Sequence, residues 1–278
     1  MTSHDVVARV RRILGERRVG HAGTLDPMAT GLLVLGVGSA TRLLRFAQAT
    51  SKVYRGTLRL GEATDSLDAT GTVTERRPVP RLDAQSVDAA AASMVGEQEQ
   101  VPPMVSARHV GGQRLHALAR AGLVVDRPAR PITVERFDVY PGEGPDEWDF
   151  TVACSTGTYV RVLASDLAER LGTVGHLTAL RRVASGRWRV EEACDLDELA
   201  TRAAAGESVL RPARDLVTGL ATLSLTPEEC QRVVTGRRVE GPGEPGDRAA
   251  LDRDGALVAV VSWRDGAWWP TVVLAERG

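Results

Sequence analysis

The sequence predicts a mixed α+β protein with a smaller, β-rich part at its C-terminus. Segments with helical periodicity occur among short strand-like runs of alternating or continuous apolar residues. The chain has 278 residues, 43% of them hydrophobic, and a formal net charge of −1, so it can bury a substantial core and is not disordered. After about residue 220 the pattern changes to one helix followed by short strands.

The first half of the chain contains four segments with a clear apolar pattern. They predict helices over about residues 2–12 and 83–96, and strands over residues 31–37 and 53–60. The run 31–37 (GLLVLGV) is continuously apolar, which is typical of a buried strand. The alternation in 53–60 points Tyr54 inward together with its apolar neighbours.

The second half predicts an inserted arm and the β-rich C-terminal part. Residues from about 100 to 131 are basic and punctuated by proline and glycine, which is typical of an arm rather than a tight turn. The remaining segments predict a strand at 148–154, helices at 160–171 and about 195–205, a helix starting in TPEE at 226–229, and strands at 257–263 and 268–275. We therefore expect two domains, 1–219 and 220–278.

Positive charge is clustered in two regions. Five arginines and no acidic residue occur between 170 and 189, and five arginines and two histidines occur between 108 and 130 beside a single aspartate. Lys52 is the only lysine, so nearly all the positive charge is guanidinium, which suits contacts with phosphate and bases. A GC-rich genome explains the use of arginine equally well, but not the clustering. The clusters predict binding to a polyanion.

Several classes of protein are excluded or disfavoured. No apolar run approaches the roughly 20 residues of a membrane span, and the three widely spaced cysteines fit neither a disulfide framework nor a zinc site. We therefore expect a cytoplasmic protein. The five histidines lack the spacing of metal ligands, and GVGSAT lacks the GK[ST] of a phosphate-binding loop. No metal or nucleotide cofactor is expected.

Asp26 stands almost alone as a charge in GHAGTLDPMATGLLVLGVG, residues 20–38. One interpretation is a turn, because Asp-Pro is ordinary loop chemistry. The other is a reacting group, since Pro27 favours an extended Asp26, while Gly20 and Gly23 let a ligand approach the backbone. A nearby arginine would favour the ionised carboxylate that a nucleophile requires. Read without relatives, the residues leave both interpretations open.

The same stretch closely resembles the catalytic motif of the TruB family of pseudouridine synthases. Five further segments resemble the family's motifs in the same order: KVYR at 52–55, GEATDSLD at 61–68, QVPPMVSA at 100–107, CSTGTYVR at 154–161 and GHLTALRR at 175–182. The resemblance implies a pseudouridine synthase fold with a central mixed, largely antiparallel sheet. It also implies a small PUA-like RNA-binding domain at 220–278.

The resemblance also implies an activity and three catalytic residues. Family members isomerise the T-loop uridine of tRNA (position 55) to pseudouridine without a cofactor. Asp26 matches the nucleophile, which attacks at the ribose or at the uracil ring. Tyr54 matches the aromatic residue that stacks on the flipped base and helps to remove the C5 proton. Arg161 matches the arginine that pairs with the catalytic carboxylate.

Three further residues match substrate-binding positions of the family. Tyr159 and Leu180 match residues that line the uracil pocket, and His21 matches the histidine that fills the place vacated by the uridine. The expected partner is tRNA, with the arginine clusters holding its phosphates, and the protein is expected to be a monomer without an obligate protein partner or membrane. Two alternatives remain: a non-catalytic tRNA-binding or folding protein, which would tolerate loss of Asp26, and a guide-RNA-dependent synthase, which the chain's own basic arm disfavours.

Overall fold

The computed structural model describes residues 1–103, 109–110, 113–114 and 127–274. Most of the predicted basic arm, about residues 100–131, therefore lies outside the described residues. The chain divides into two compact units, each made of separate stretches of sequence. The first consists of Leu25–Leu32 and Thr50–Ala193, and the second of Met1–Thr24, Leu33–Ala49 and Cys194–Gly278. The domain boundary near residue 220 stays a prediction.

The helices follow the capping signals of the sequence. Those described are α1 (Ser3–Leu14), α2 (Leu44–Gln48), α3 (Ala84–Ala92), α4 (Val160–Arg170), α5 (Leu196–Ala204) and α6 (Pro227–Val234). A capping box of Thr2 and Asp5 begins α1, and a second one of Thr226 and Glu229 begins α6. The predicted helix at 83–96 is confirmed but ends earlier, at Ala92. None of the described helices is long and apolar enough to cross a membrane.

Eighteen strands are described. They are β1 (Val19–His21), β2 (Thr30–Gly31), β3 (Leu35–Val37), β4 (Lys52–Leu60), β5 (Glu62–Thr64), β6 (Val73–Arg76), β7 (Gly96–Gln100), β8 (His109–Val110), β9 (Gln113–Arg114), β10 (Arg130–Pro141), β11 (Glu147–Cys154), β12 (Gly175–Ser185), β13 (Trp188–Arg189), β14 (Ala221–Ser224), β15 (Val239–Glu240), β16 (Gly246–Leu251), β17 (Leu257–Arg264) and β18 (Ala267–Val273). The strands predicted at 53–60, 148–154, 257–263 and 268–275 are confirmed within two residues.

A seven-stranded sheet forms the centre of the first unit. Its order is β13-β12-β4-β11-β10-β7, with β2 added to β12 as the one parallel neighbour. One face packs against α3 and α4 in a core that includes Val87, Leu163, Leu167, Leu58 and Phe150. The predicted mixed, largely antiparallel sheet is thus confirmed. Strands β10 and β12 were not predicted. In β12, buried polar residues interrupt the alternation of apolar and polar residues.

The prediction of one buried strand over residues 31–37 was wrong. Strand β2 ends at Gly31, whose φ of +93° is a turn conformation, and β3 begins only at Leu35. Strand β2 pairs with β12 in the first unit, whereas β3 pairs with β1 in the second. Both ends of the run are paired and partly buried, so a continuous apolar pattern does not reveal that the strand partner changes.

The second unit contains the C-terminal sheet. Its order is β14-β16-β17-β18-β15, with a parallel pair between β14 and β16. Helix α6 packs Val233 into an apolar core with Ala259, Val261 and Trp268. The same unit contains a smaller cluster in which Val7 and Val10 of α1 pack with Leu196 and Leu199 of α5. The helical periodicity of α1 predicts the apolar face that it contributes to this smaller cluster.

Candidate active site

Asp26 opens a tight turn. Its carbonyl oxygen accepts a hydrogen bond from the Ala29 amide at 2.9 Å, and Pro27 occupies the second position of the turn, where its fixed φ is favourable. The carboxylate takes no part in this backbone bond, and the side chain keeps 27% of its surface exposed. The two interpretations of Asp26 are therefore compatible, because the backbone forms the turn while the side chain faces Arg161.

The loop that carries Asp26 is fixed to strand β12. The Leu32 amide donates to the Arg182 carbonyl at 2.8 Å, and the Arg182 Nε donates to the Leu32 carbonyl at 2.8 Å. Glycine is required at position 31, because a Cβ there would lie 2.3 Å from the Arg182 carbonyl oxygen. Leu25 and Met28 also pack against the core of the sheet. The chain is thus anchored to the first unit on both sides of Asp26, through Leu25 before it and through Leu32 after it.

Arg161 binds Asp26 with two parallel hydrogen bonds. Its Nε lies 2.8 Å from Oδ2 of Asp26, and its Nη2 lies 2.9 Å from Oδ1. Arg161 lies in the first turn of α4 and is only 3% exposed. This fork-to-carboxylate geometry is the strong form of an ion pair and fixes the orientation of the carboxylate. The structure therefore brings together the two residues that the resemblance pairs.

Asp68 contacts the opposite side of the same guanidinium. Arg161 Nη1 donates to the Ser66 carbonyl at 2.7 Å and lies 3.5 Å from Oδ2 of Asp68. Asp68 is 2% exposed, and its Oδ1 accepts from the Ser66 hydroxyl at 2.8 Å and from the Thr70 amide at 3.0 Å. One buried cation thus lies between two carboxylates. Asp68 is the last residue of the GEATDSLD segment, but it was not among the predicted site residues.

Tyr54 lies on β4 directly across from Arg182 of β12. It is 9% exposed and belongs to the apolar core. Burial raises the pKa of the Tyr54 phenol above its ordinary value of 10.0, whereas the charge and hydrogen bond of Arg182 lower it, and the Asp26 carboxylate raises it further. The phenol therefore stays protonated at neutral pH, within electrostatic reach of Asp26.

Tyr159 is positioned through its backbone. It is the residue immediately before α4, and its amide donates to Gln100 Oε1 at 2.8 Å while its carbonyl accepts from Gln100 Nε2 at 3.1 Å. Gln100 is 4% exposed. Because this amide clamps the start of α4, it also fixes the turn that carries Arg161. Gln100 was visible in the sequence only as the first residue of QVPPMVSA.

Leu180 and His21 occupy different units. Leu180 is 5% exposed in β12, within the core of the first unit. His21 ends β1 in the second unit, opposite Leu35 of β3, and its carbonyl accepts from Gln48 Nε2 at 3.3 Å. The first unit thus contains five of the six predicted site residues.

One arginine of the 170–189 cluster does not serve the predicted purpose. Arg182 is 1% exposed and bonds to Leu32 and Tyr54, so it supports the structure of the site instead of holding phosphate. The other four arginines, Arg170, Arg181, Arg187 and Arg189, are exposed. Within the part of the chain that the structure describes, no three histidine, cysteine, aspartate or glutamate residues group together as metal ligands would.

The chain matches three family models that together span most of its length. Residues 11–160 match the N-terminal domain of TruB family pseudouridylate synthases. Residues 161–218 match the tRNA pseudouridylate synthase B C-terminal domain, and residues 220–275 match the C-terminal domain of tRNA pseudouridine synthase II. The chain belongs to the TruB family of pseudouridylate synthases. The residues of the Asp26–Arg161 pair lie in the two adjoining matches.

Relatives within the TruB family are similar over nearly the whole chain. The tRNA pseudouridine synthase B of Thermobifida fusca is 47% identical over 99% of this chain and 94% of its own length. The tRNA pseudouridine synthase B of Mycobacterium tuberculosis strain H37Rv is 44% identical over 94% of this chain and 88% of its own. These matches extend the family assignment to nearly the whole chain.

Solved structures share the TruB family fold at lower identity. An H/ACA RNP bound to a substrate RNA containing 2'-deoxyuridine has a chain that aligns with a TM-score of 0.74 at 20% identity, covering all of this chain and 82% of its own. The archaeal box H/ACA sRNP Nop10-Cbf5 complex aligns with the same TM-score and identity, covering all of this chain and 83% of its own. The pseudouridine synthase fold predicted from the sequence is confirmed.

Proposed function

We propose that this protein isomerises the T-loop uridine of tRNA, at position 55, to pseudouridine, with Asp26 as the nucleophile and without a cofactor. The observation that carries the proposal is the two-point ion pair of Asp26 with the buried Arg161, at 2.8 and 2.9 Å. It occurs in a member of the TruB family whose relatives are named tRNA pseudouridine synthase B. A carboxylate nucleophile needs a fixed and accessible carboxylate, and the Asp26 side chain keeps 27% of its surface exposed.

The reaction rearranges bonds within one nucleotide. The bond between C1′ of ribose and N1 of uracil breaks, the uracil turns, and a bond forms between C1′ and C5. The C5 proton leaves and N1 gains one, so the atoms balance without an oxidant, reductant or nucleotide. Asp26 forms a transient bond to the ribose or to the uracil ring, and Arg161 orients the carboxylate before attack and stabilises it when it is released.

The uridine must leave its stacked position before Asp26 can reach it. Bases in a folded RNA loop are extruded for such chemistry, at a cost of a few kcal/mol. Stacking on an aromatic side chain contributes about 1–3 kcal/mol per base, and Tyr54 is the proposed surface. Tyr159 and Leu180 line the proposed uracil pocket, and His21 fills the place vacated in the T loop. The protonated Tyr54 phenol presents a neutral ring to the base.

The test uses an unmodified tRNA transcript with the full chain and no guide RNA. Pseudouridine is mapped by chemical probing and primer extension, and tRNA binding is measured separately. Asp26→Asn keeps the shape of the side chain but removes the nucleophile, so we expect at least a roughly 1,000-fold loss of rate with little change in binding. Product in the T loop supports the proposed site in the RNA.

The matched control is Asp83→Asn. Asp83 is an exposed helix N-cap whose side chain accepts from the Ser86 amide, and asparagine caps helices equally well. This variant should keep the rate of the unaltered protein. Equal rates for Asp26→Asn and the unaltered protein would contradict the nucleophile assignment. Binding of tRNA without any pseudouridine formation by the unaltered protein would favour the non-catalytic alternative.

A further inference from the structure

Four polar residues form a row across the face of the seven-stranded sheet that faces away from its helices. Thr30 of β2 is in register with Arg181 of β12, which is in register with Arg55 of β4, which is in register with Thr151 of β11. The neighbouring row, which includes Arg182 and Tyr54, is buried. Because side chains alternate along a strand, the four polar residues share the other face, where Thr30, Arg55 and Arg181 are exposed and Thr151 is half-buried.

The two arginines at the centre of this row are unfavourable neighbours. Residues directly opposite on antiparallel strands have Cβ atoms about 4.5–5.5 Å apart, and like charges placed there are destabilising. The described contacts give Arg181 one weak partner, the Thr30 hydroxyl at 3.5 Å, and no ion pair with an acidic residue is described for Arg55 or Arg181. Such a pair lowers the stability of the fold, so its presence indicates a function that compensates for this cost. This is typical of a binding site.

Another arginine of the same sheet is neutralised. Arg136 of β10 lies 3.0 Å from Asp138 on its own strand. Asp138 is in register with Thr151, so it lies at the far end of the same row. The positive charge of the row is therefore concentrated at Arg55 and Arg181.

We propose that Arg55 and Arg181, flanked by the hydroxyls of Thr30 and Thr151, bind backbone phosphates of the substrate RNA on this exposed face of the sheet. Two guanidinium forks and two hydroxyls are the donors that phosphate oxygens accept. Thr30 also ends the loop of Asp26, four residues away, so a phosphate held here is tied to the position of that loop. The inference rests on the proposed function, because it assumes an RNA substrate.

The test measures binding of the tRNA transcript at several salt concentrations. The variants are Arg55→Gln, Arg181→Gln and the double variant, with Arg136→Gln as the matched control on the same sheet. Each lost phosphate contact should lower the slope of log Kd against log salt by about 1. We expect Kd to rise about 5- to 10-fold for each single variant, and the single-turnover rate at saturating RNA to stay within about 2-fold. Arg136→Gln leaves Asp138 unpaired at the end of the row, and it should change the Kd and the salt slope much less than either row variant does.

A second readout separates an RNA-binding role from a structural one. Removing either arginine relieves the like-charge contact, so the melting temperature of the free protein should rise by about 1–3 °C or stay unchanged. A variant that binds RNA more weakly yet melts no lower supports the proposal. Arg55→Lys, which keeps the charge but loses the fork, should recover part of the affinity and the full salt slope.

The outcomes distinguish this inference from the proposed function. If the unaltered protein forms pseudouridine but the double variant binds tRNA with the same Kd and salt slope, the phosphate row is wrong and the function stands. If the double variant binds RNA more weakly and also melts at a lower temperature than the unaltered protein, the arginines support the fold. The inference is then likewise overturned. If the unaltered protein binds tRNA through the row but forms no pseudouridine, the row stands and the proposed function fails.

Discussion

The two large sheets of this protein bury different kinds of side chain. In the first unit, the buried residues include five with acidic or basic side chains, which are Lys52, Asp68, Arg161, His176 and Arg182. In the C-terminal sheet and its helix, the buried side chains among the described residues are apolar, such as Val233, Val261 and Trp268. The core of the first unit therefore contains acidic and basic side chains, whereas the core of the C-terminal sheet is apolar.

The difference indicates that the core of the first unit holds a candidate site, whereas the core of the C-terminal sheet consists of apolar packing. Burying a charge costs several kcal/mol unless hydrogen bonds and an opposite charge compensate for it, and apolar side chains of similar volume are often more stabilising. The first unit compensates Arg161 with Asp26, Asp68 and the Ser66 carbonyl. An arrangement of this kind is retained most readily where its orientation is needed, and here it surrounds the proposed nucleophile.

The largest expected effect is that of Arg161→Ala. The substitution leaves Asp68 buried without its cation and Asp26 without its orienting partner, so we expect a loss of about 3–5 kcal/mol in the free energy of unfolding. We also expect turnover to fall by about 1,000-fold while the Kd for tRNA changes little. Chemical denaturation and single-turnover kinetics measure the two effects. A defect confined to tRNA affinity would argue against the pairing role of Arg161.

Val261→Ala tests the other side of the comparison. Val261 is fully buried in the C-terminal sheet, and its truncation removes apolar contacts without exposing a charge. We expect it to cost about 1–2 kcal/mol of stability and to leave the single-turnover rate unchanged. If Val261→Ala lowered the rate as strongly as it lowered stability, the division between a chemical and a structural sheet would be wrong.

An intermediate effect is expected for Asp68→Asn. Asparagine fills the same space but removes the second carboxylate near Arg161, so the guanidinium keeps only the Ser66 carbonyl on that side. Small displacements of a positioning group cost up to about 100-fold in rate, and we expect a 10- to 100-fold decrease. The rate is measured at saturating tRNA, where a binding defect would not appear.

The matched control for Asp68→Asn is Asp65→Asn in the same loop. Asp65 is exposed, and its Oδ1 accepts from the Thr72 amide at 2.9 Å, so it has a local structural role without contact to Arg161. We expect its replacement to leave the rate within about 2-fold. Equal losses for both variants would show that the loop as a whole matters, and that the charge of Asp68 does not.

The sequence predicted those features whose signals are local. Helix α1 was predictable from its capping residues, and β11 from its alternation of apolar and polar residues. Asp26 was noticeable because a single carboxylate in an apolar stretch calls for a reason, although its partner came from a resemblance and not from the pattern. Its side chain meets a residue 135 positions away, which no local rule reveals.

The features that the sequence did not predict depend on tertiary partners. Strand β12 contains a buried arginine, Arg182, that looks like a solvated charge until its partner Leu32 is known. Residues 31–37 look like one strand because burial, not pairing, determines the apolar pattern. Asp68 looks like an ordinary turn aspartate, since its contact with Arg161 comes from a helix far along the chain.

The smallest expected effect concerns Lys52, the only lysine of the chain. Burial, together with the charge of Arg182, lowers the pKa of Lys52 from 10.5 to about 8. The unfolded chain therefore binds this proton between about pH 8 and 10.5 while the folded protein does not, so the contribution of Lys52 to stability rises with pH across that window. Below about pH 8 the amine is protonated in both states, and the unfavourable burial of its charge is fully present.

Replacing Lys52 by methionine removes that charge and its titration. The melting temperature of Lys52→Met relative to the unaltered protein should therefore be higher at pH 7 than at pH 10, because only the unaltered protein recovers stability as the lysine loses its proton. Calorimetry at the two pH values gives this difference, and the contributions of ionisable groups that do not interact with Lys52 cancel in it. An equal difference at both pH values would mean that Lys52 titrates as an exposed lysine does, and that the first unit buries one charge fewer.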